Sequence, residues 1–243
     1  MHSSSSVIKA LCLLAALVGL LLSPQPASAL TIDFSTAFSP PGNTLVNTYT
    51  SGPVTVDAFY KVGVGYTQAS GVNDKPVTLF VRNETDGHGF GVCSPGEQAP
   101  VCGGDNLNEL DSNLGRDELI RLTLADGWRW ANVRVSSLEP LGVNDPADSG
   151  QLWYASTDGL PTGNLGELLT SFVGCPLCSK EPQLQVTGTL AEDARYLYFI
   201  PSVDKSDYLV YRVEVVPEPA TLLLLGAGLA VLAVIGRRLP RRK

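Results

Sequence analysis

The middle of the chain is dominated by an alternation of apolar and polar residues with a period of two. Segments such as Leu122-Thr123-Leu124 place every second side chain on the same face of an extended strand. Gly, Pro, Asn and Asp separate these segments, as is typical of turns between strands. The pattern predicts strands at residues 54–60, 77–82, 119–124, 130–136, 151–155, 183–188, 196–200 and 208–216.

About eight short strands without alternating helices indicate an all-β protein, an antiparallel β-sandwich or jelly roll. One short helix is predicted at residues 165–173, with Asn164 as its N-cap. Residues 30–216 should form one domain, since this length suffices to bury a hydrophobic core.

An apolar run near the N-terminus has the features of a secretory signal peptide. Lys9 precedes the uncharged residues 10–22, a proline-containing stretch ends the run, and Ala27-Ser28-Ala29 is a small-x-small cleavage site. We therefore expect residues 1–29 to be removed after Ala29, with Ala27 and Ala29 read by the signal peptidase. An uncleaved membrane anchor is the alternative.

A second uncharged run, residues 220–236, lies near the C-terminus. As a helix it would be about 25 Å long, which is at the short end of what a bilayer requires. Basic residues beside a membrane span stay on the cytoplasmic side, so everything before residue 217 is expected outside. These basic residues are Arg237, Arg238, Arg241, Arg242 and Lys243.

Pro217-Glu218-Pro219 precedes this apolar run. Neither proline has an N–H group, and each disfavours helix at the residue before it, so the segment should be extended and accessible. Such a segment suits recognition by another protein. By physics alone, a plain C-terminal anchor with a proline-stiffened linker is the alternative.

The order Val-Pro-Glu-Pro-Ala-Thr, apolar helix and arginine-rich end, over residues 216–243, resembles the PEP-CTERM sorting signal of Gram-negative bacteria. The resemblance implies processing by an exosortase, a membrane transpeptidase-like protease that recognises Pro217, Glu218 and Pro219. It also implies an association with exopolysaccharide-producing, biofilm-forming bacteria. The expected organisation is a signal peptide (1–29), an extracytoplasmic domain (30–216) and a sorting signal (217–243).

Three short motifs within the domain also resemble a pattern found in PEP-CTERM proteins. They occupy residues 89–92, 108–111 and 118–122. The resemblance implies a Gly-Val strand, an acidic turn and a further strand of a jelly roll. Glu109 and Asp111 would then form the turn or act as structural ligands.

The segment between the two terminal signals is strongly acidic. The chain has 17 Lys and Arg against 24 Asp and Glu, a net charge of −7. Lys9, the five basic residues of the tail and Glu218 fall outside residues 30–216, which leaves 11 basic against 23 acidic residues, a net charge of −12. Such a surface repels phosphate backbones, so we expect no nucleic-acid partner.

Four cysteines lie in the exported segment and are expected to pair. Cys93 and Cys102 flank a turn-rich stretch, whereas Cys175 and Cys178 form a C-x-x-C. A redox pair would need a thioredoxin-like context and zinc would need four ligands, and neither is visible. Two local disulfides, 93–102 and 175–178, are predicted. Cross-pairing is the alternative, because connectivity cannot be deduced from sequence.

Residues 103–118 contain closely spaced oxygen-bearing side chains. Asp105, Glu109 and Asp111 are candidate calcium ligands, because calcium takes 6–8 oxygens. The stretch does not follow the EF-hand pattern, since Leu107 and Arg116 occupy ligand positions. A solvated acidic loop built of Asn, Asp and Gly turns is the alternative.

Motifs of an enzyme are scarce in the exported segment. Its one histidine, His88, lies in a glycine-rich turn, and no G-x-S-x-G, H-E-x-x-H or phosphate loop occurs. The acid pair Asp117-Glu118 is a weak glycosidase signal. Aromatic residues for stacking on sugars are available, although such residues more often pack a core. They are Trp128, Trp130, Trp153 and Tyr154.

These features predict an exported, non-enzymatic surface or matrix protein with a structural or exopolysaccharide-associated role. It would be held in the inner membrane by residues 220–236 before processing and then released to the cell surface or the extracellular space. A secreted glycan-active hydrolase carried on the same signals and a permanently anchored binding module are the alternatives.

Overall fold

The computed structural model describes residues 28–37, 46–68, 77–84, 87–93, 118–138, 147–174, 183–184, 194–202, 206 and 208–218. The chain divides into two compact units, one of residues 29–216 and one of residues 1–28 with 217–243. Within the described ranges, no helix has the length and apolar character needed to cross a membrane. Both predicted apolar runs, 10–22 and 220–236, lie outside these ranges.

Thirteen strands make up the described part of the domain. They are β1 (Leu30–Asp33), β2 (Thr48–Ser51), β3 (Val54–Val62), β4 (Gly65–Thr67), β5 (Thr78–Glu84), β6 (Gly87–Cys93), β7 (Glu118–Leu124), β8 (Trp128–Ser136), β9 (Ser149–Ala155), β10 (Glu167–Val173), β11 (Gln183–Leu184), β12 (Tyr196–Pro201) and β13 (Leu209–Pro217). Two 3-10 turns, Phe34–Thr36 and Leu160–Thr162, complete the described elements.

The strands form two sheets with antiparallel pairing. Sheet A has the order β11-β8-β13-β6-β5, and β1 also pairs with β13. Sheet B has the order β10-β9-β12-β7-β3-β2, and β4 also pairs with β3. The predicted all-β sandwich is confirmed.

Alternate residues of both sheets meet in one hydrophobic core. Sheet B contributes fully buried residues such as Val56, Leu122 and Phe199, and sheet A contributes Phe90 and Val213. Each such side chain stabilises the fold by roughly 1.5–3 kcal/mol relative to exposure. Because core-facing residues alternate with outward-facing ones along the strands, the period of two in the sequence predicts the strands well.

Three aromatic rings connect the sheets at one side of the core. Phe34 follows β1, and its ring centroid lies 4.9 Å from that of Phe90 on β6 and 6.4 Å from that of Tyr49 on β2. An isolated antiparallel bridge between Val46 and Leu79 joins the chain entering β2 to β5. These contacts fix the start of the domain in place.

The predicted helix at residues 165–173 is wrong. Residues Glu167–Val173 form β10, which pairs antiparallel with β9 along its length and has an irregularity between Leu168 and Thr170. Asn164 does act as a local cap, because its Oδ1 accepts a hydrogen bond from the N–H of Gly166. That bond closes a two-residue turn before a strand instead of starting a helix.

All eight predicted strands have a counterpart, although for residues 183–188 only Gln183–Leu184 lie in the described part of the chain. The Gly-Val strand implied by resemblance is β6, and the motif at 118–122 lies in β7. The acidic turn at 108–111 lies outside the described residues. Strands β1, β2 and β4 have only three or four residues, too few to show a period.

Candidate functional site

The proline-rich sorting segment begins where β13 ends. Val216 and Pro217 are partly buried, and Glu218 is exposed. Pro219 and the predicted topology residues Arg237, Arg238, Arg241, Arg242 and Lys243 lie outside the described residues. At the other end, Ala29 is exposed immediately before β1, and Ala27 lies outside the described residues.

The outward face of sheet B carries a row of side chains in register across five strands. Trp153 on β9 pairs with Tyr198 on β12, Tyr198 with Arg121 on β7, Arg121 with Asp57 on β3, and Asp57 with Thr48 on β2. Residues of neighbouring strands on one face of a sheet are close enough to interact directly. The row is the basis of a polar and aromatic cluster that the sequence alone did not indicate.

The outer-face cluster consists of four side chains of this row and three neighbouring side chains on the same face. Its members are Asp57, Phe59, Arg121, Trp153, Asp158, Tyr196 and Tyr198.

Arg121 is at the centre of the outer-face cluster. Its Nη2 donates to Asp57 Oδ2 at 2.7 Å and its Nη1 to Asp158 Oδ2 at 2.6 Å. The guanidinium carbon lies 4.8 Å from the ring centroid of Phe59 and 5.8 Å from that of Tyr196. Burial alone would lower the pKa of Arg121, but the hydrogen bonds and charges of the two carboxylates outweigh it and raise this pKa. Arg121 therefore stays charged and fixed in orientation.

Asp158 attaches the loop between β9 and β10 to this face. Its Oδ1 accepts hydrogen bonds from the N–H of Leu160 at 3.2 Å and from Tyr198 Oη at 3.3 Å. Tyr198 Oη in turn accepts from the N–H of Gly159 at 3.2 Å. Burial and the nearby charge of Asp158 raise the pKa of Tyr198 to about 12. The phenol is thus a neutral donor at physiological pH.

Gly163 allows this loop to lie against the turn between β3 and β4. Its φ is +72°, and a Cβ at this position would come within 1.8 Å of the carbonyl oxygen of Val64. A side chain here would therefore be excluded both by backbone conformation and by contact. Behind the loop, Leu160 and Leu165 pack with Phe59 and Tyr198 in a second small core.

The outer-face cluster leaves two aromatic rings partly open to solvent. Tyr196 and Trp153 are half-buried, whereas Tyr198 is fully buried. The rings of Tyr196 and Tyr198 are parallel within 9° at 6.2 Å, and Trp153 Nε1 donates to Gln151 Oε1 at 3.0 Å. Flat aromatic faces beside fixed carboxylate and amide groups are suited to stacking and hydrogen bonding with a polar ring-shaped ligand.

The four aromatic residues suggested by the sequence have different positions. Trp130 is 2% exposed in the core, and Trp128 packs against that core. Tyr154 also faces the core, and its hydroxyl donates to Glu167 Oε2 at 2.6 Å. Trp153 alone among them lies on the outer face. Sequence reasoning missed Tyr196, although its alternation with core residue Leu197 indicates its face.

The remaining predicted site residues are largely outside the described ranges. Cys93 is disulfide-bonded. The other cysteines, Cys102, Cys175 and Cys178 among them, lie outside those ranges, so the pairing stays a prediction. The candidate calcium ligands Asp105, Glu109 and Asp111 also lie outside. Among the residues that the structure describes, no three His, Cys, Asp or Glu side chains converge as a metal site.

The residues considered for catalysis do not form a described site. His88 lies in β6 opposite Asn83. Glu118 is 1% exposed at the start of β7, and Asp117 lies outside the described residues. A carboxylate as deeply buried as that of Glu118 is poorly placed to reach a glycosidic bond.

A comparison with protein families identifies the C-terminal segment. Residues 215–242 match the family model described as the PEP-CTERM protein-sorting motif. The match covers the end of β13, the proline-rich tripeptide, the apolar run and most of the basic end. It shows an exosortase-sorted, exported protein with a membrane-anchored precursor. No curated protein matches the chain.

Proposed function

Because this chain is a PEP-CTERM domain-containing protein, we propose that its β-sandwich is a non-enzymatic surface or matrix module that associates with exopolysaccharide. The sorting signal marks the exported chain for processing by an exosortase. The domain in front of it supplies the role at the destination, which is the cell surface or the biofilm matrix.

The observation that carries the proposal is the outer-face cluster. Two partly exposed rings, Tyr196 and Trp153, lie on neighbouring strands of a rigid sheet, where little conformational entropy is lost on binding. Aromatic faces bind the apolar faces of sugar rings, while Gln151 and Asp158 supply hydrogen-bonding groups for hydroxyls. The two carboxylates of Asp57 and Asp158 outnumber the single positive charge of Arg121, and the resulting excess of negative charge disfavours anionic glycans.

Binding to polysaccharide purified from the producing organism tests this proposal. We expect Tyr196→Ala and Trp153→Ala each to weaken binding about tenfold, because each removes one stacking face. Affinity electrophoresis or calorimetry measures the change, and a melting curve confirms that each variant is folded.

A matched control is available on sheet A. Tyr211 is also a half-buried tyrosine beside an arginine, with the guanidinium of Arg212 at 4.7 Å from its ring. Tyr211→Ala should leave binding unchanged. Equal losses for Tyr211→Ala and Tyr196→Ala, or no binding by the unmodified protein, would contradict the proposal.

Catalysis is tested in the same samples. A non-enzymatic module leaves the polysaccharide intact, so no reducing ends should accumulate during long incubation. Release of reducing ends that disappears on substitution of acidic residues within 105–118 would favour the hydrolase alternative instead.

A further inference from the structure

The two ends of the sandwich lie side by side on sheet A. β1 pairs antiparallel with the last part of β13, with Leu30 opposite Val215 and Asp33 opposite Arg212. The predicted signal-peptidase site at Ala29 directly precedes β1, and the sorting tripeptide begins with Pro217, the last residue of β13. Leu30, the first residue after one predicted processing site, is therefore paired with Val215, two residues before the start of the other.

The pairing with β1 reaches almost to the sorting tripeptide. Val215 is paired with Leu30, so Val216 is the only residue between the last registered pair and Pro217. Proteins that read an extended peptide usually bind several consecutive residues through main-chain hydrogen bonds. A protease bound at residues 217–219 would reach residues whose backbone β1 already occupies.

The Asp33 end of β1 is held more firmly than the Leu30 end, which pairs with Val215 close to the sorting tripeptide. Leu30 is 37% exposed, whereas Ile32 is 5% exposed and the adjoining Phe34 is fully buried. Asp33 Oδ2 accepts a hydrogen bond from Arg212 Nη2 at 2.6 Å, an ion pair that joins the two strands directly. β1 therefore opens from Leu30 inwards, with the Asp33–Arg212 pair as the barrier to full release.

We propose that β1 acts as an intramolecular clamp on C-terminal processing, so that the exosortase cleaves the folded precursor only when β1 has separated from β13. This inference depends on exosortase processing at residues 217–219 and goes beyond it by assigning a rate-controlling role to β1. Opening one short edge strand is a local event that costs less free energy than global unfolding. The rate of processing then follows the population of the open form.

A linker insertion tests the clamp without weakening the domain. Six Gly and Ser residues between Val216 and Pro217 move the tripeptide away from β1, and processing should become at least about fivefold faster, which corresponds to about 1 kcal/mol. The full-length chain is followed by pulse-chase in cells that contain an exosortase, with precursor and product separated by size. Processing at the unmodified rate would overturn the proposal.

The same insertion at a distant turn is the matched control. Between Asp126 and Gly127 the chain is exposed, and nothing lies within 4 Å of where a side chain on Gly127 would start. Insertion there should leave processing unchanged. Equal acceleration by both insertions would contradict the clamp, because it would point to general loosening of the fold.

A point substitution tests the ion pair itself. Asp33→Asn keeps the shape of the side chain but removes its charge, and processing should become about threefold to fivefold faster, as expected for an ion pair of this kind. Ile120→Val, in the core of sheet B, lowers global stability without touching β1. It should leave processing unchanged, and equal acceleration by both variants would overturn the proposal.

Failure of sorting is distinguishable from failure of the clamp. Glu218→Ala should abolish processing in every background if the tripeptide is the recognition site. If Glu218→Ala abolishes processing but the linker has no effect, the clamp is wrong and sorting stands. Normal processing of Glu218→Ala would instead contradict recognition of the tripeptide.

Discussion

Arg121 shows how a single charge can be held within the outer face of a sheet. Its side chain is 18% exposed, and that of its partner Asp57 is 7% exposed. Thr48 Oγ1 supplies a further hydrogen bond to Asp57 Oδ1 at 2.7 Å. Charges this deeply buried are tolerated only when paired, so the arginine and the aspartate depend on each other.

Removing this charge should destabilise the fold strongly. Arg121→Met keeps the apolar stem but leaves Asp57 buried and unpaired, which should lower the free energy of unfolding by about 3 kcal/mol. Urea unfolding of the domain measures the loss. The double variant Asp57→Asn with Arg121→Met should recover part of it, because no charge is then left buried. A double variant less stable than Arg121→Met would contradict this account.

Asp33 should make part of the stability dependent on pH. Burial alone would raise its pKa, but hydrogen bonds from Ser35 and Arg212 lower the pKa below its ordinary value. The pKa of Asp33 is lower in the folded state than in the unfolded state, where it is about 3.9. Ionised Asp33 therefore stabilises the fold above the unfolded-state pKa. This stabilisation is lost as the pH falls through the folded-state pKa.

The substitution Asp33→Asn isolates this effect. It should lower the free energy of unfolding by about 1 kcal/mol at pH 7. The difference from the unmodified protein should shrink as the pH falls below about 4. Unfolding curves between pH 7 and pH 3 measure it, and a difference independent of pH would argue against an ionised Asp33.

Single residues of the outer face could be predicted only in part. Alternation places Tyr196 and Tyr198 on the face opposite Leu197, so their common side follows from the sequence. The contact between Arg121 and Asp158 does not, because it depends on the conformation of the loop at residues 156–166. Trp128 and Trp153 likewise both lie in strands but face different environments, which is set by the pairing of distant strands.

At the scale of elements, β6 depends on an unusually close approach to β13. Gly89 has a φ of +132°, and a Cβ on it would come within 2.4 Å of the carbonyl oxygen of Val210. The registered pair between these strands is Val210 with Phe90, the next residue. The backbone of β13 therefore occupies the space that a side chain at position 89 would need.

Gly89→Ala should separate these two strands. We expect it to lower the free energy of unfolding by about 3 kcal/mol, through overpacking and backbone strain together. Gly127→Ala is the control, because φ is +78° there but no atom lies within 4 Å. It should cost only about 1 kcal/mol from backbone strain. Equal losses in thermal or urea unfolding would mean that the contact with β13 is unimportant.

The element most clearly mispredicted is β10. Leu165, Leu168, Leu169 and Phe172 have a spacing that fits one face of a helix, and Asn164 fits a cap. Pairing with β9 overrides this local preference, and the irregularity between Leu168 and Thr170 shifts the alternation. A register shift of one residue removes the period on which strand prediction depends.

At the scale of the whole molecule, processing should change both ends of the chain. We expect the mature surface form to begin at Leu30 and to lack the basic residues Arg237 to Lys243. Intact-mass and peptide mass spectrometry of protein from the native host measures both ends. Full-length chain in the inner membrane as the final form would support the permanently anchored module instead.

The antiparallel pairing of β1 with β13 also affects how the domain folds. Asp33 and Arg212 are separated by 179 residues, so β1 can join its sheet only after nearly the whole chain has been exported. Connecting residues 30 and 215 by a short loop, and opening the chain at the Asp126–Gly127 turn, would keep every strand neighbour and make this contact local. Since local contacts form with a smaller entropic cost, such a circular permutant should complete sheet A faster than the natural order of strands allows.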